Sequence, residues 1–210
     1  MSLYGLLIGI SLVIIWQYFS SQNKIIPKKR EDSFIIFLYI SLLLGARIYH
    51  VFDYWSYYSQ NPVQIFNNRG GGLSIIGAII AGFFYILIFS KKIHQPFLKI
   101  SDIFTKILPL AQSIGRFGNF FNHENPSWWI ESILNFVLFL FLLRKKTNST
   151  AYYLIGYGII RFITEFFRND TWSVSGIKIA QIISLFFILF GLILKKNVSS
   201  NNQVTKKQSR

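Results

Sequence analysis

Apolar residues fall along the chain in seven runs, Ser2–Ser20, Ser33–Val51, Gly72–Ser90, Ile103–Phe121, Ser127–Leu143, Ala151–Phe167 and Gly176–Leu194, separated by short polar stretches. At about 1.5 Å per residue a helix over each run is long enough to cross a hydrocarbon core. The pattern predicts an all-α integral membrane protein with seven transmembrane helices in residues 1–194. The polar, basic tail 195–210 is expected to be disordered. The fourth run is the weakest, carrying Lys106, Pro109, Gln112 and Arg116. It is read as a span because the charges on either side of it require one. The first run has no basic segment before it and is not read as a cleaved signal.

The composition agrees: of 210 residues, 52% are hydrophobic and only 14% charged, with a net charge of +14. That charge does not form one patch, so a nucleic-acid partner is not expected; it sits in the gaps between runs. Lys24, Lys28, Lys29, Arg30, Lys91, Lys92, Lys99, Arg144, Lys145, Lys146, Lys195, Lys196, Lys206, Lys207 and Arg210 fall on one side, against Arg69, Arg168 and Lys178 on the other. The positive-inside rule then places the amino terminus outside and the carboxyl terminus in the cytoplasm. The absence of cysteine excludes a disulfide, a thiolate metal site or a cysteine nucleophile in this sequence. Three scattered histidines, His50, His94 and His123, give no metal-ligand pattern.

Orientation brings Arg47, Arg116, Glu131, Arg161 and Glu165 into the outer half of the membrane. An arginine at the centre of a membrane helix costs about 2.5–3.5 kcal/mol on insertion scales, so several at one level call for a common purpose. Arg116 stands in Gly115-Arg116-Phe117-Gly118-Asn119-Phe120-Phe121-Asn122-His123-Glu124. A snorkelling arginine would account for Arg116 alone, whereas a buried anion site accounts for its neighbours too. Tyr157, Arg161 and Glu165 follow at four-residue steps, with Arg168 three further on, and so share one helix face. Two arginines at similar depth on different helices suit a phosphate group. The run Gly70-Gly71-Gly72-Leu73-Ser74 can present backbone N–H groups to an anion, although glycines also serve helix packing. Tyr54-Trp55-Ser56-Tyr57-Tyr58 reads as an aromatic interfacial segment.

These residues together resemble the prolipoprotein diacylglyceryl transferases. Gly115-Arg116-x-Gly118-Asn119-x-x-Asn122-x-Glu124 resembles the family signature, and the likeness extends to Tyr4-Gly5, Gly45-Ala46-Arg47 and Gly71-Gly72-Leu73-Ser74. It continues through Pro126-Ser127-x-x-x-Glu131, Tyr157-Gly158-x-x-Arg161-x-x-x-Glu165-x-x-Arg168 and Gln181-x-x-Ser184. The resemblance implies an enzyme of the bacterial plasma membrane whose site faces the outer leaflet. It would move diacylglyceryl from phosphatidylglycerol to the lipobox cysteine thiol of a prolipoprotein and release glycerol phosphate. No metal or organic cofactor is implied. Arg116 and Arg161 would stabilise the departing phosphate, and Tyr4, Asn119, Asn122 and Tyr157 would orient the head group. Arg47, Gly71, Gly72, Ser74 and Glu165 would complete the substrate site. Two departures stand out. Ile76 occupies the place of a family histidine considered a proton acceptor, so help with the thiol proton would come from elsewhere or from solvent, and His123, or failing it Glu124, is the candidate acceptor. Glu124 and Pro126 are separated by Asn125 alone, where the family usually has a substantial external arm. A non-catalytic relative that binds anionic phospholipid would keep the same arginines.

Overall fold

The computed structural model describes residues 3–67, 72–122, 127–168, 173–174 and 177–208, with the side chains of Tyr4, Val174, Ile177 and residues after 197 outside the description. Its helices are α1 (Leu3–Gln22), α2 (Lys28–Asp53), α3 (Trp55–Tyr58), α4 (Ile75–Lys92), α5 (Phe97–Phe121), α6 (Trp128–Leu143), α7 (Ser149–Thr164) and α8 (Ile179–Gln208). Two strands of two residues, β1 (Ser173–Val174) and β2 (Ile177–Lys178), pair antiparallel between α7 and α8. A helix thus lies over each of the seven apolar runs. The helical backbone of α8 also continues past Lys195 to Gln208, where the sequence reading expects disorder.

Burial is inverted relative to a water-soluble protein. Large apolar side chains such as Phe37, Leu43, Ile79, Phe186 and Leu189 face outward, while Ser113, Glu131, Asn135, Thr164 and Glu165 are buried. Only lipid makes that arrangement favourable. This is an all-α membrane protein. Among the described residues four helices are both long and apolar enough to cross a bilayer: α1, α2, α4 and α8. The other three miss for identifiable reasons. α5 carries Lys99, Asp102, Lys106 and Arg116, and α6 and α7 have 16 residues each.

The chain forms two compact units, Met1–Gln22 with Ser101–Arg210, and Asn23–Ile100. In the first, polar contacts fasten helices that share an apolar surface. Ser113 and Ser132 hydroxyls meet at 3.0 Å between α5 and α6, and Gln112 donates to the Tyr153 hydroxyl at 2.8 Å between α5 and α7. Asp102 accepts from both the backbone N–H and the hydroxyl of Thr150, each at 2.7 Å. It thereby caps α7, whose own capping residue, Asn148, sits in a left-handed conformation and makes no side-chain cap. Small residues let α7 and α8 approach closely: a Cβ on Gly158 would lie 2.8 Å from the Ser184 carbonyl oxygen.

The second unit rests on α2 against α4. Phe34 and Phe89 rings pack with centroids 4.5 Å apart, and the Tyr85 hydroxyl donates to the Phe34 carbonyl at 3.1 Å. Farther along, Gly45 and Gly77 face each other backbone to backbone.

Candidate functional site

In the first unit, the end of α5, the start of α6 and the end of α7 come together. Phe117 and Phe120 of α5 pack on Trp128 of α6, with ring centroids 5.3 and 5.0 Å apart. This aromatic clasp brings the last turns of α5 to the first turn of α6, and hence Arg116 to Glu131. Arg116 Nη2 lies 2.7 Å from Glu131 Oε2. The other carboxylate oxygen, Oε1, faces Arg161 Nη1 at 3.8 Å and Arg168 Nη1 at 3.7 Å. Three guanidinium groups from three segments therefore meet one carboxylate.

The end of α7 is shaped to allow this. After Thr164 the helix tightens into a 3₁₀ turn, Glu165–Phe167, and Arg168 is extended. Lys178 on β2 donates to the Glu165 carbonyl at 2.6 Å and to the Arg168 carbonyl, satisfying groups the helix end leaves open. Arg161 Nη2 pairs with Glu165 Oε2 one turn on, at 2.9 Å. Glu165 is fully buried, and its Oε1 has no hydrogen-bond partner among the described residues.

Depth divides the charges. The side chains of Arg116, Arg161 and Arg168 are 22%, 20% and 15% exposed, whereas Glu131 is 2% exposed and Glu165 not at all. Carboxylates form the floor and guanidinium edges reach the surface. Burying an isolated carboxylate costs several kcal/mol, so the floor is stable only with its cations in place. An anion arriving from outside would meet planar donor edges suited to paired oxygens.

The model of the prolipoprotein diacylglyceryl transferase family matches residues 1–126 and 124–195. A phosphatidylglycerol–prolipoprotein diacylglyceryl transferase of Finegoldia magna is 36% identical over 194 residues, covering 80% of this chain and 77% of the relative. Enzymes of the same name from Clostridioides difficile and Clostridium novyi are each 34% identical, covering 95% and 98% of this chain and 92% and 94% of their own. The chain belongs to the prolipoprotein diacylglyceryl transferase family. The family match falls in two parts that overlap at residues 124–126. The alignment with the C. novyi transferase runs over 247 positions against 210 residues here, so that relative carries residues this chain lacks.

Other residues that the sequence singles out lie beside this cluster on α5 and α7 or belong to the second unit. Asn119 lies half-buried one turn beyond Arg116 on α5, and Asn122 is exposed past its end. Tyr157 stands one turn before Arg161 on α7, half-buried and stacked on Tyr153 with centroids 5.6 Å apart. A Cβ on Gly115 would meet nothing within 4 Å among the described residues, so packing does not demand glycine there. Arg47, Gly72 and Ser74 lie in the second unit. Arg47 donates to the carbonyls of Ile65 at 2.8 Å, Gly72 at 2.9 Å, Asn67 at 3.0 Å and Gln64, with its guanidinium 5.2 Å from the Tyr58 ring centroid. In this conformation it gathers the segment between α3 and α4. Gly72 has φ +75°, and a Cβ there would lie 2.6 Å from Arg47 Nη1, so this position needs glycine twice over. Ser74 precedes α4 and its N–H bonds the Ala46 carbonyl at 3.0 Å. Gly71, His123 and Glu124 lie outside the described residues, as does the side chain of Tyr4 on α1.

Glu131 is the site residue that the sequence reading left without a role. Its signal was present: in the apolar α6, the buried positions Glu131, Asn135, Leu138 and Leu142 recur every three or four residues along one stripe. Lys178 gave no such signal, since its contacts cross a hairpin.

Proposed function

We propose that this chain transfers the diacylglyceryl group of phosphatidylglycerol to the cysteine thiol of a lipobox-bearing prolipoprotein. The observation that carries this reading is the convergence of Arg116, Arg161 and Arg168 on Glu131, in a member of this family. The thiol sulfur attacks the glycerol carbon that bears the phosphate ester. A carbon–sulfur bond forms, the carbon–oxygen bond breaks, and the oxygen leaves with the electron pair. The phosphate passes from a monoanionic diester to a monoester with one more negative charge. Guanidinium groups fixed beforehand around that oxygen stabilise the transition state more than the bound donor. Tyr157 and Asn119, one turn from Arg161 and Arg116, orient the glycerol head group. Incubating purified protein with phosphatidylglycerol vesicles and a lipobox peptide tests the reading. A peptide heavier by one diacylglyceryl group, with glycerol phosphate released, is the expected result. Phosphatidylglycerol binding without a mass change would leave a lipid-binding relative.

The thiol proton goes to His123 or, failing it, to Glu124. A thiol with pKa about 8.5 is a few per cent thiolate at neutral pH, so a base of pKa near 6.5 suffices. Such a base works only unprotonated, so the parent's rate falls as pH drops through that value. His123→Gln and His123→Ala are expected to lose rate and the acid limb together. If both variants keep limb and rate, His123 is not the acceptor.

We also infer seven crossings, with the amino terminus outside and the site at the outer leaflet. In α5 and α7 the polar positions face the neighbouring helices, which is how a helix too polar for lipid can still cross. A cytoplasm-active reporter fused after Lys196 is expected to be active; one active only outside the cytoplasm would reverse the topology.

A further inference from the structure

Glu131 holds an unusual position: a buried carboxylate at the point where a phosphate binder would be expected to keep room for its ligand. Arg116 approaches it at hydrogen-bond distance, 2.7 Å. Arg161 Nη1 and Arg168 Nη1 stand 3.8 and 3.7 Å from its other oxygen, close enough to feel its charge. Arg161 Nη1 is a buried donor with no hydrogen-bond partner among the described residues. The cluster is therefore partly neutralised while this donor of Arg161 remains unfilled. Donors of that kind await an acceptor, and the partial exposure of the three arginines gives one access.

We propose that Glu131 is a built-in counter-anion: it gathers the three arginines around one phosphate-sized position and limits how tightly that position holds the product. The inference rests on the transfer reading above. The product phosphate carries more negative charge than the donor's, so an uncompensated arginine cluster binds product more tightly than donor. Each turnover would then end in a trapped enzyme. The buried carboxylate repels the second charge more than the first and so favours release. Glu131 is in this sense a positioning and release residue that acts through the arginines.

The test compares parent, Glu131→Gln and Glu131→Asp, reconstituted in phosphatidylglycerol vesicles, with glycerol phosphate added as product inhibitor. Gln keeps the shape and removes the charge. Its inhibition constant for glycerol phosphate is expected to fall by about tenfold or more. The first turnover should outpace later ones, and kcat should fall while KM stays the same or falls. Asp keeps the charge, and its inhibition constant should stay within about threefold of the parent's. A merely structural role predicts weaker product binding in both variants. An unchanged or raised inhibition constant in folded Glu131→Gln overturns the proposal. If Glu131→Gln does not fold, Arg168→Gln decides: product binding should weaken by about tenfold, and unchanged binding overturns the proposal. A parent that transfers nothing would instead fail the functional reading, independently of these variants.

Discussion

Arg116→Ala and Arg161→Ala are each expected to lower diacylglyceryl transfer by at least about a hundredfold, and replacement by lysine is not expected to restore it. The geometry gives the reason. Arg116 bonds Glu131 through one nitrogen at 2.7 Å, which leaves the rest of its fork for an anion at the exposed edge. Arg161 bridges Glu165 at 2.9 Å and faces Glu131 at 3.8 Å, so it holds two carboxylates apart while presenting the same kind of edge. An ammonium group is a point charge and cannot make paired contacts to two phosphate oxygens while also satisfying the floor. Stability must be followed alongside activity, because removing one partner of a buried ion pair costs about 3–5 kcal/mol. The loss bears on mechanism where the variant still elutes as a folded monodisperse species and still binds vesicles. Near-normal transfer by either alanine variant would remove that arginine from the reaction.

Much of the helical framework was legible before the fold. The apolar runs located all seven long helices, and the basic gaps showed that even the polar α5 was one of them. The helix ends were less legible. α2 begins at Lys28 rather than near Ser33, because lysine and arginine can continue a helix while their charged heads stay in water. What sequence could not supply was rotation. Glu131 stood in the first turns of α6, but only the packing of Trp128 against Phe117 and Phe120 shows that its face of α6 meets Arg116. Arg47 illustrates the same limit. It shares the chemistry of the other arginines, yet the acceptors it meets are backbone carbonyls of the segment before α4, and carbonyls have no sequence signature.

Gly77→Val is expected to destabilise the protein by about 3 kcal/mol or more, above the usual cost of overpacking, because nothing at the contact can yield. A Cβ on Gly77 would overlap the Gly45 carbonyl oxygen and lie 2.9 Å from its carbonyl carbon. A Cβ on Gly45 would meet the Gly77 carbonyl oxygen at 2.5 Å and overlap the Ala81 methyl. The obstacles are backbone atoms on both sides, so relief requires α2 and α4 to separate. Separation would strain the bond from the Ser74 N–H to the Ala46 carbonyl, 3.0 Å long, which ties the start of α4 to α2. It would also draw Arg47, the next residue on α2, away from the Gly72 carbonyl that it holds at 2.9 Å. A fault in packing would thus spread to the segment that Arg47 gathers. Gly9→Ala is the matched control, since a Cβ there meets nothing within 4 Å and alanine favours a helix over glycine by about 1 kcal/mol. Thermal unfolding in detergent should show a large fall in Tm, or no folded protein, for Gly77→Val and little change for Gly9→Ala. Equal Tm values for Gly77→Val and the parent would mean that α2 and α4 do not depend on this backbone contact.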